Sequence, residues 1–458
     1  MENTTIAAIS TPFAPGGIGI VRLSGPRSVE VADRLFHSQK GKRLSDRPTH
    51  TLTYGSICDP ADGQLVDECL VSVMRAPRTY TGEDVCEINC HGGLYVCDKV
   101  LRLCLEQGAV LAQPGEFTKR AFLNGRMDLS RAEAVIDLIE AESGGASRNA
   151  AAQMGGQMAR RITQLREALV RVSADILVEV EYPEEDTPHL AEEETLSRLQ
   201  ELESTLRRLY GSFEAGRAIR DGIQTAIVGR PNVGKSSILN LLAGYDKAIV
   251  TDIAGTTRDV VEEKIRLGDV LLRLYDTAGI RSTGDRVEQL GVERSMALLE
   301  QAELIFYVVD SSQPLTGEDE TLLEKLDPQR TVVLLNKQDL QPAVAREDIP
   351  ARFQQVVWLS AQDGQGMDRL EQVVRQLCLR GIDGLEQGEI VTNARQRECL
   401  LRAHESVQQA LTSLGAGMPF DLITIDLQDA IDALGEITGE TASEAIIGDI
   451  FSRFCLGK

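Results

Sequence analysis

No two of the nine cysteines (Cys58, Cys69, Cys86, Cys90, Cys97, Cys104, Cys378, Cys399 and Cys455) stand in a CxxC spacing, and their number is odd. Neither a disulfide framework nor a zinc knuckle fits that pattern. Cys86, Cys90 and His91 lie close enough in sequence to offer metal ligands, but in an apolar run they read as small core fillers. No apolar stretch reaches the ~18 residues that a membrane span needs. The opening residues MENTTIAAISTPFAPGG lack the basic and apolar segments of a secretory leader, so the expectation is a cytoplasmic protein with no membrane partner. An excess of positive charge is missing too: the formal charge is −22 at pH 7. Gripping nucleic acid over a whole surface needs clustered lysine and arginine to neutralise phosphates. Any such partner must therefore be held by a local patch or through a second protein. Internal repeats and low-complexity tracts are absent as well.

What is present is a globular composition, 42% hydrophobic and 26% charged. Its 458 residues suffice for roughly three domains at about 150 residues each. Residues 1–118 read as mixed α and β, with strand-like runs Gly19 to Leu23, Val66 to Met74 and Val85 to Cys90 and a helical stretch near Leu94 to Leu105. From Ser130 the period becomes helical: Ser130 and Glu133 are spaced as a capping box, and Ala132, Val135, Ile136 and Ile139 then share a face. A second helix carries Ile162, Leu165, Leu169, Val172 and Ile176 and ends before the Tyr182-Pro183 step. A third carries Leu196, Leu199, Leu202, Leu206 and Leu209. Leu400, Val407, Leu411 and Leu414 resume the pattern, and Thr441 with Glu444 is spaced to cap a last helix before the terminal FCLGK. These stripes read as the core of a helical bundle, residues 119–217 and 381–458, interrupted by an α/β insert at 218–380.

The insert carries the chemistry. GRPNVGKSS follows a strand-like run and opens a helix, which is the setting of a phosphate loop. In it Asn232, Val233, Gly234, Lys235, Ser236 and Ser237 face a triphosphate: backbone N–H groups and the helix end meet the oxygens, Lys235 reaches the β- and γ-phosphates, and Ser236 gives its hydroxyl to Mg2+. The segment Thr251, Asp252, Ile253, Ala254, Gly255, Thr256 and Thr257 supplies, in Thr257, a second Mg2+ hydroxyl and a γ-phosphate sensor that makes the segment a switch. Asp276, Thr277, Ala278 and Gly279 form a DxxG turn beside the metal and the γ-phosphate. Asn336, Lys337 and Asp339 of NKQD, with Ser360 and Ala361, form a base pocket. The Asp339 carboxylate accepts from guanine N1–H and its amino group; adenine would leave it unpaired, at about 1–3 kcal/mol, so GTP is expected over ATP.

The position after DxxG, often a water-orienting glutamine, is Ile280, which has no hydrogen-bonding side chain. Another group must place the water and offset charge developing between the phosphates. Asn232 offers a carbonyl oxygen on which a monovalent cation could rest, joined by backbone carbonyls from Thr251 to Thr256.

GRPNVGKSS, TDIAGTTRD, DTAGIR, NKQD and FCLGK in one chain resemble the tRNA-modification GTPases of the MnmE (TrmE) family. The likeness extends through Thr11 to Ile20, TGEDVCEI, HGG at His91 to Gly93, and PGEFTKRAFLNGRMDLSRAEA. The resemblance implies a folate-binding-like α+β N-terminal domain that dimerises, a helical bundle domain, and an inserted Ras-like P-loop G domain activated by K+. It implies a homodimer that joins a flavin-dependent, MnmG-like (GidA-like) partner in a heterotetramer. Together they install an aminomethyl-type (carboxymethylaminomethyl) group at C5 of the tRNA wobble uridine, using a tetrahydrofolate derivative as one-carbon source. Matched to the family's pattern, Asn232 and the carbonyls of Thr251, Ile253 and Thr256 hold K+. Ser236 and Thr257 hold Mg2+, and Glu288 orients the attacking water. Arg22, Glu87, Arg126 and Lys458 hold folate, and Cys455 serves tRNA modification. Two other readings stand beside this one: a regulatory or assembly GTPase that binds RNA without modifying it, and a structural P-loop module without turnover. The acidic balance and the folate-like first third speak against the former.

Overall fold

A computed structural model of the protein describes residues 4–39, 41–181, 192–245, 263–274, 301–455 and 457–458. Contacts divide the chain into two compact units, Met1–Ile136 with Gly435–Lys458, and Asp137–Leu434.

The first unit is built on a seven-stranded sheet. Its strands are β1 (Ile6–Ile9), β2 (Gly19–Ser24), β3 (Phe36–Ser38), β4 (Thr51–Cys58), β5 (Leu65–Met74), β6 (Val85–Cys90) and β7 (Val110–Leu111). They run in the order β3-β4-β5-β6-β2-β1-β7, antiparallel except for the β1/β7 pair. Side chains alternate across β5, so Cys69, Val71 and Val73 turn inward together and meet Val100 and Cys104 of the helix Leu94–Glu106. Cys86 and Cys90 belong to this core, as small fillers. His91 is exposed and pairs with Asp67 at 2.7 Å, and among the described residues no group of three His, Cys, Asp or Glu could hold a metal.

Two caps differ from the sequence reading. The helix Leu129–Glu140 begins before Ser130, and Asp128 caps it by accepting the Arg131 N–H at 3.0 Å and the Ser130 hydroxyl at 2.5 Å. Ser130 is buried inside the first turn, and Ile139 is exposed at the far end of the expected face. The last helix, Glu444–Ser452, is capped by Ser443, whose hydroxyl accepts the Ile446 N–H at 3.4 Å; Thr441 instead lies over Gly435. Ile450, Phe451 and Phe454 bury themselves against Leu129, Ala132 and Val135, which joins the last helix to the N-terminal unit.

In the second unit, Gln157–Glu181, Glu192–Gly211 and Ala394–Gly415 form long amphipathic helices. Most of each expected stripe is buried: Ile162, Leu165, Leu169, Val172 and Ile176 on the first, Leu199, Leu202, Leu206 and Leu209 on the second, and Leu400, Val407 and Leu414 on the third, with Leu196 and Leu411 half-buried. The chain enters the α/β part after the helix Phe213–Asp221 and leaves it near Val391. These ends are tied together: the Val391 N–H donates to Ser212 Oγ at 3.0 Å, and Arg220 donates to the Thr392 carbonyl at 3.0 Å. An insertion with joined ends disturbs its host least.

The insert is a six-stranded sheet of β8 (Ile223–Val228), β9 (Glu263–Leu267), β10 (Val270–Leu274), β11 (Leu304–Asp310), β12 (Thr331–Asn336) and β13 (Val356–Trp358). The order is β13-β12-β11-β8-β10-β9, parallel throughout except for the β9/β10 hairpin. Both faces are covered, so the strands are apolar on both sides. On β11, Leu304, Phe306 and Val308 face one core with the helices Lys235–Tyr245 and Met367–Cys378; Ile305, Tyr307 and Val309 face the other with the helix Gly317–Lys325. This is a Ras-like P-loop domain, and the whole chain is a multidomain α/β and α protein. Among the described residues no helix is long and apolar enough to cross a membrane.

Candidate functional site

β8 ends at Val228 and the helix Lys235–Tyr245 begins within the glycine motif, so the intervening loop sits at the carboxyl end of the central parallel strands. Asn232 holds φ +65°, a left-handed conformation that asparagine tolerates better than most residues. Lys235 Nζ donates to the carbonyls of Gly229 at 2.8 Å and Arg230 at 2.6 Å. An ammonium has three donors, so one remains for a phosphate oxygen. Burial pushes the Lys235 ammonium below its ordinary pKa, which sharpens its preference for an anionic partner. Ser236 and Ser237 are exposed on the first helical turn, where a hydroxyl is free to meet a hard cation.

Asn336 joins the phosphate loop to the base pocket. Its side chain is 1% exposed, its Nδ2 donates to the Val233 carbonyl at 2.9 Å, and its Oδ1 accepts the Ala361 N–H at 3.0 Å. Gly234, at φ +100°, lets the loop approach this amide: a Cβ there would lie 2.2 Å from Asn336 Nδ2. Lys337, at φ +67°, pairs with Asp310 at 2.6 Å. Burial pushes Asp310 up, but bonds from Lys337 and Ser312 outweigh it and hold the carboxyl below its ordinary pKa. Asp339 is exposed, and its Oδ1 accepts the Ser360 hydroxyl at 2.9 Å, which orients the carboxylate. Asn232, Val233, Gly234, Lys235, Asn336, Lys337, Asp339, Ser360 and Ala361 thus lie along the loops at one end of the sheet. The donor set fits a guanine nucleotide with Mg2+. Thr251, Asp252, Ile253, Ala254, Gly255, Thr256, Thr257, Asp276, Thr277, Ala278, Gly279, Ile280 and Glu288 lie outside the described residues.

β9 and β10 connect these two undescribed segments, and their hairpin is gripped by the chain after residue 140. Lys264 Nζ donates to both carboxylate oxygens of Glu142, at 2.6 and 2.8 Å, and Arg266 donates to the Glu142 carbonyl at 2.6 Å. Arg148 pairs with Asp269 in the turn. Nothing in the motifs signalled these contacts.

A second cluster forms in the first unit. Arg22 on β2 stands directly opposite Glu87 on β6, with Nε 2.8 Å from Oε1. Its guanidinium lies 5.8 Å from the Tyr80 ring centroid and 5.7 Å from that of Phe117. The Gly457 carbonyl accepts from Ser10 Oγ at 3.0 Å and lies 3.5 Å from Arg22 Nη1, which brings the C-terminal residues to the same place. Burial, and then the neighbouring Arg22, push the Lys458 ammonium below its ordinary pKa. Two cations and one carboxylate beside the half-buried Tyr80 fit a pterin with a carboxylate tail, while the fully buried Phe117 backs Arg22 from the core. Arg126 donates to the Thr79 carbonyl at 3.0 Å, beside Tyr80, rather than to this cluster itself. Cys455 is exposed. Sequence reading missed Ser10, Tyr80 and Phe117, which come from a strand end, a loop and a helix and meet around Arg22 only through tertiary packing.

Residues 5–126 match the family model described as GTP-binding protein TrmE N-terminus, and residues 129–455 match that of the MnmE helical domain. The tRNA modification GTPase MnmE of Geobacillus kaustophilus is 48% identical over 466 residues, spanning 100% of both chains. That of Lacticaseibacillus paracasei is 47% identical over 459 residues, covering 99% of this chain and 98% of the relative.

Proposed function

The chain belongs to the MnmE (TrmE) family and is a GTP hydrolase of tRNA modification; from that premise we propose that it couples hydrolysis to building an aminomethyl-type group on C5 of the wobble uridine. The observation that carries the nucleotide half is the pair of hydrogen bonds joining the Asn336 amide to Val233 and Ala361, which ties base pocket and phosphate loop together. Lys235 binds phosphate, Asp339 selects guanine, and Ser236 with Thr257 holds Mg2+. Bound there, Mg2+ neutralises phosphate charge. Asn232, with the carbonyls of Thr251, Ile253 and Thr256, would hold K+, which would supply positive charge to offset the charge that develops on the phosphates. Glu288 orients the attacking water, the task Ile280 cannot perform.

Arg22, Glu87 and Lys458 bind a tetrahydrofolate derivative, with Arg126 at the edge of that site. The folate supplies a one-carbon unit. Glu87 suits the N–H donors of the pterin ring, Arg22 and Lys458 suit acceptor oxygens of the folate, and Cys455 acts at the modification step. The working assembly is a cytoplasmic homodimer bound to a flavin-dependent, MnmG-like partner, and the partner brings the redox chemistry this chain's residues do not supply. Nucleoside analysis of tRNA from cells lacking the chain tests the proposal. Loss of the C5 group, restored by the wild-type chain, is expected; unchanged wobble uridines would overturn it.

A further inference from the structure

Arg230 is the second residue of the phosphate loop, and its guanidinium turns to a buried partner. Nε lies 2.8 Å from Asp319 Oδ2, and the two side chains are 18% and 0% exposed. Asp319 belongs to another element, the helix Gly317–Lys325 that follows β11. Its Oδ2 also accepts the Thr316 N–H and hydroxyl, each at 3.0 Å, and its Oδ1 accepts the hydroxyl of the fully buried Tyr307 at 2.9 Å. The capping box of this helix accounts only for the bonds between Asp319 and Thr316. The Tyr307 hydrogen bond and the Arg230 ion pair exceed that need, and they tie the carboxylate to β11 and to the loop. Burial pushes the Asp319 carboxyl up, but these bonds together outweigh it and hold it below its ordinary pKa, so it stays ionised opposite Arg230.

The other end of Arg230 meets the chemistry directly, since its carbonyl accepts Lys235 Nζ at 2.6 Å. An ion pair from Asp319 to the Arg230 guanidinium and a hydrogen bond from Lys235 Nζ to the Arg230 carbonyl therefore stand in series, ending at the ammonium that meets phosphate. We propose that Asp319 is a positioning residue for the nucleotide site: acting through Arg230, it fixes the first turn of the phosphate loop so that Lys235 and the loop N–H groups meet the diphosphate of a guanine nucleotide. This rests on the nucleotide assignment above. An ion pair shielded from water holds such a turn more rigidly than an exposed one, and sub-ångström placement of phosphate donors shows up directly in affinity and residence time.

The test uses the full chain, fluorescent GDP and Mg2+, with equilibrium affinity and dissociation rate read beside thermal unfolding. Asp319→Asn and Arg230→Gln are each expected to weaken GDP binding about tenfold, mostly through faster release, and the double variant to match either single one. Arg230→Lys, which keeps the charge, should restore part of the affinity. Thr316→Val removes a cap donor only; it should lower the unfolding temperature and leave GDP affinity within about twofold. Should Asp319→Asn fail to fold, Arg230→Gln decides alone, because every cap bond remains in it. Normal GDP binding by both variants, or additive losses in the double variant, overturns the proposal. A wild-type chain that binds no GDP overturns the nucleotide assignment, and this inference with it.

Discussion

Gly234 and Asn336 set the tolerance of the nucleotide site. A methyl at 234 would meet the amide 2.2 Å away, in a backbone conformation L residues rarely adopt. Gly234→Ala should therefore weaken GDP binding at least about tenfold, from strain of roughly 1–2 kcal/mol plus displacement of Asn336; titration with labelled GDP checks this. Asp339→Asn replaces an acceptor by an amide, which repels the guanine donors and matches a carbonyl at C2. GTP should lose its advantage over xanthosine triphosphate, and competition between the two nucleotides is the measurement. Hydrolysis in K+ should exceed that in Na+ several-fold, and Glu288→Ala should slow cleavage with GTP affinity intact. Equal rates in the two salts would remove the cation from the mechanism, and unchanged turnover would remove Glu288. The phosphate loop was readable because strand, glycine turn and helix recur in a fixed local order. Asp319 was not, although Thr316 and Asp319 have capping-box spacing, because its second role depends on a tyrosine and an arginine brought near by the sheet.

Caps and hairpins decide where the elements begin and how they are held. Asp128→Ala should cost about 1 kcal/mol of the first unit's stability by removing the acceptor for Arg131 N–H, whereas Ser130→Ala, taken as the cap from sequence, should cost less. Chemical denaturation of the two variants separates these assignments. Neighbouring Ser and Asp residues are equally good caps on paper; the start of the buried face chooses between them. The alternation on β11 and β12 and the stripes at Ile162 to Ile176 were legible because burial on both faces or on one stripe leaves a periodic signature. The grip of Glu142 on Lys264 had no such signature. Both side chains are partly exposed, so a double-mutant cycle should give a coupling of only about 0.5 kcal/mol.

At the scale of the whole molecule, the fold of each part was legible while the company kept by the last helix was not. The sequence announces a last helix before FCLGK without saying what it packs against, and only long-range packing sets Ile450, Phe451 and Phe454 against Leu129, Ala132 and Val135. The −22 charge bears on partners instead. If this chain meets tRNA mainly through the flavin-dependent partner, its own tRNA affinity should be weak and shallow in salt dependence, and steeper once the partner is added. Filter binding across a salt series measures both slopes. The exposure of the thiols offers a practical opening for all these experiments. Of nine free sulfhydryls, six are buried, Cys58 and Cys378 are half-covered, and burial pushes Cys378 up to about 12; Cys455 stands in water beside Gly457 and Lys458. A maleimide dye added briefly to the native protein should attach there first, giving a fluorescent reporter next to the Arg22–Glu87 cluster without engineering a single residue.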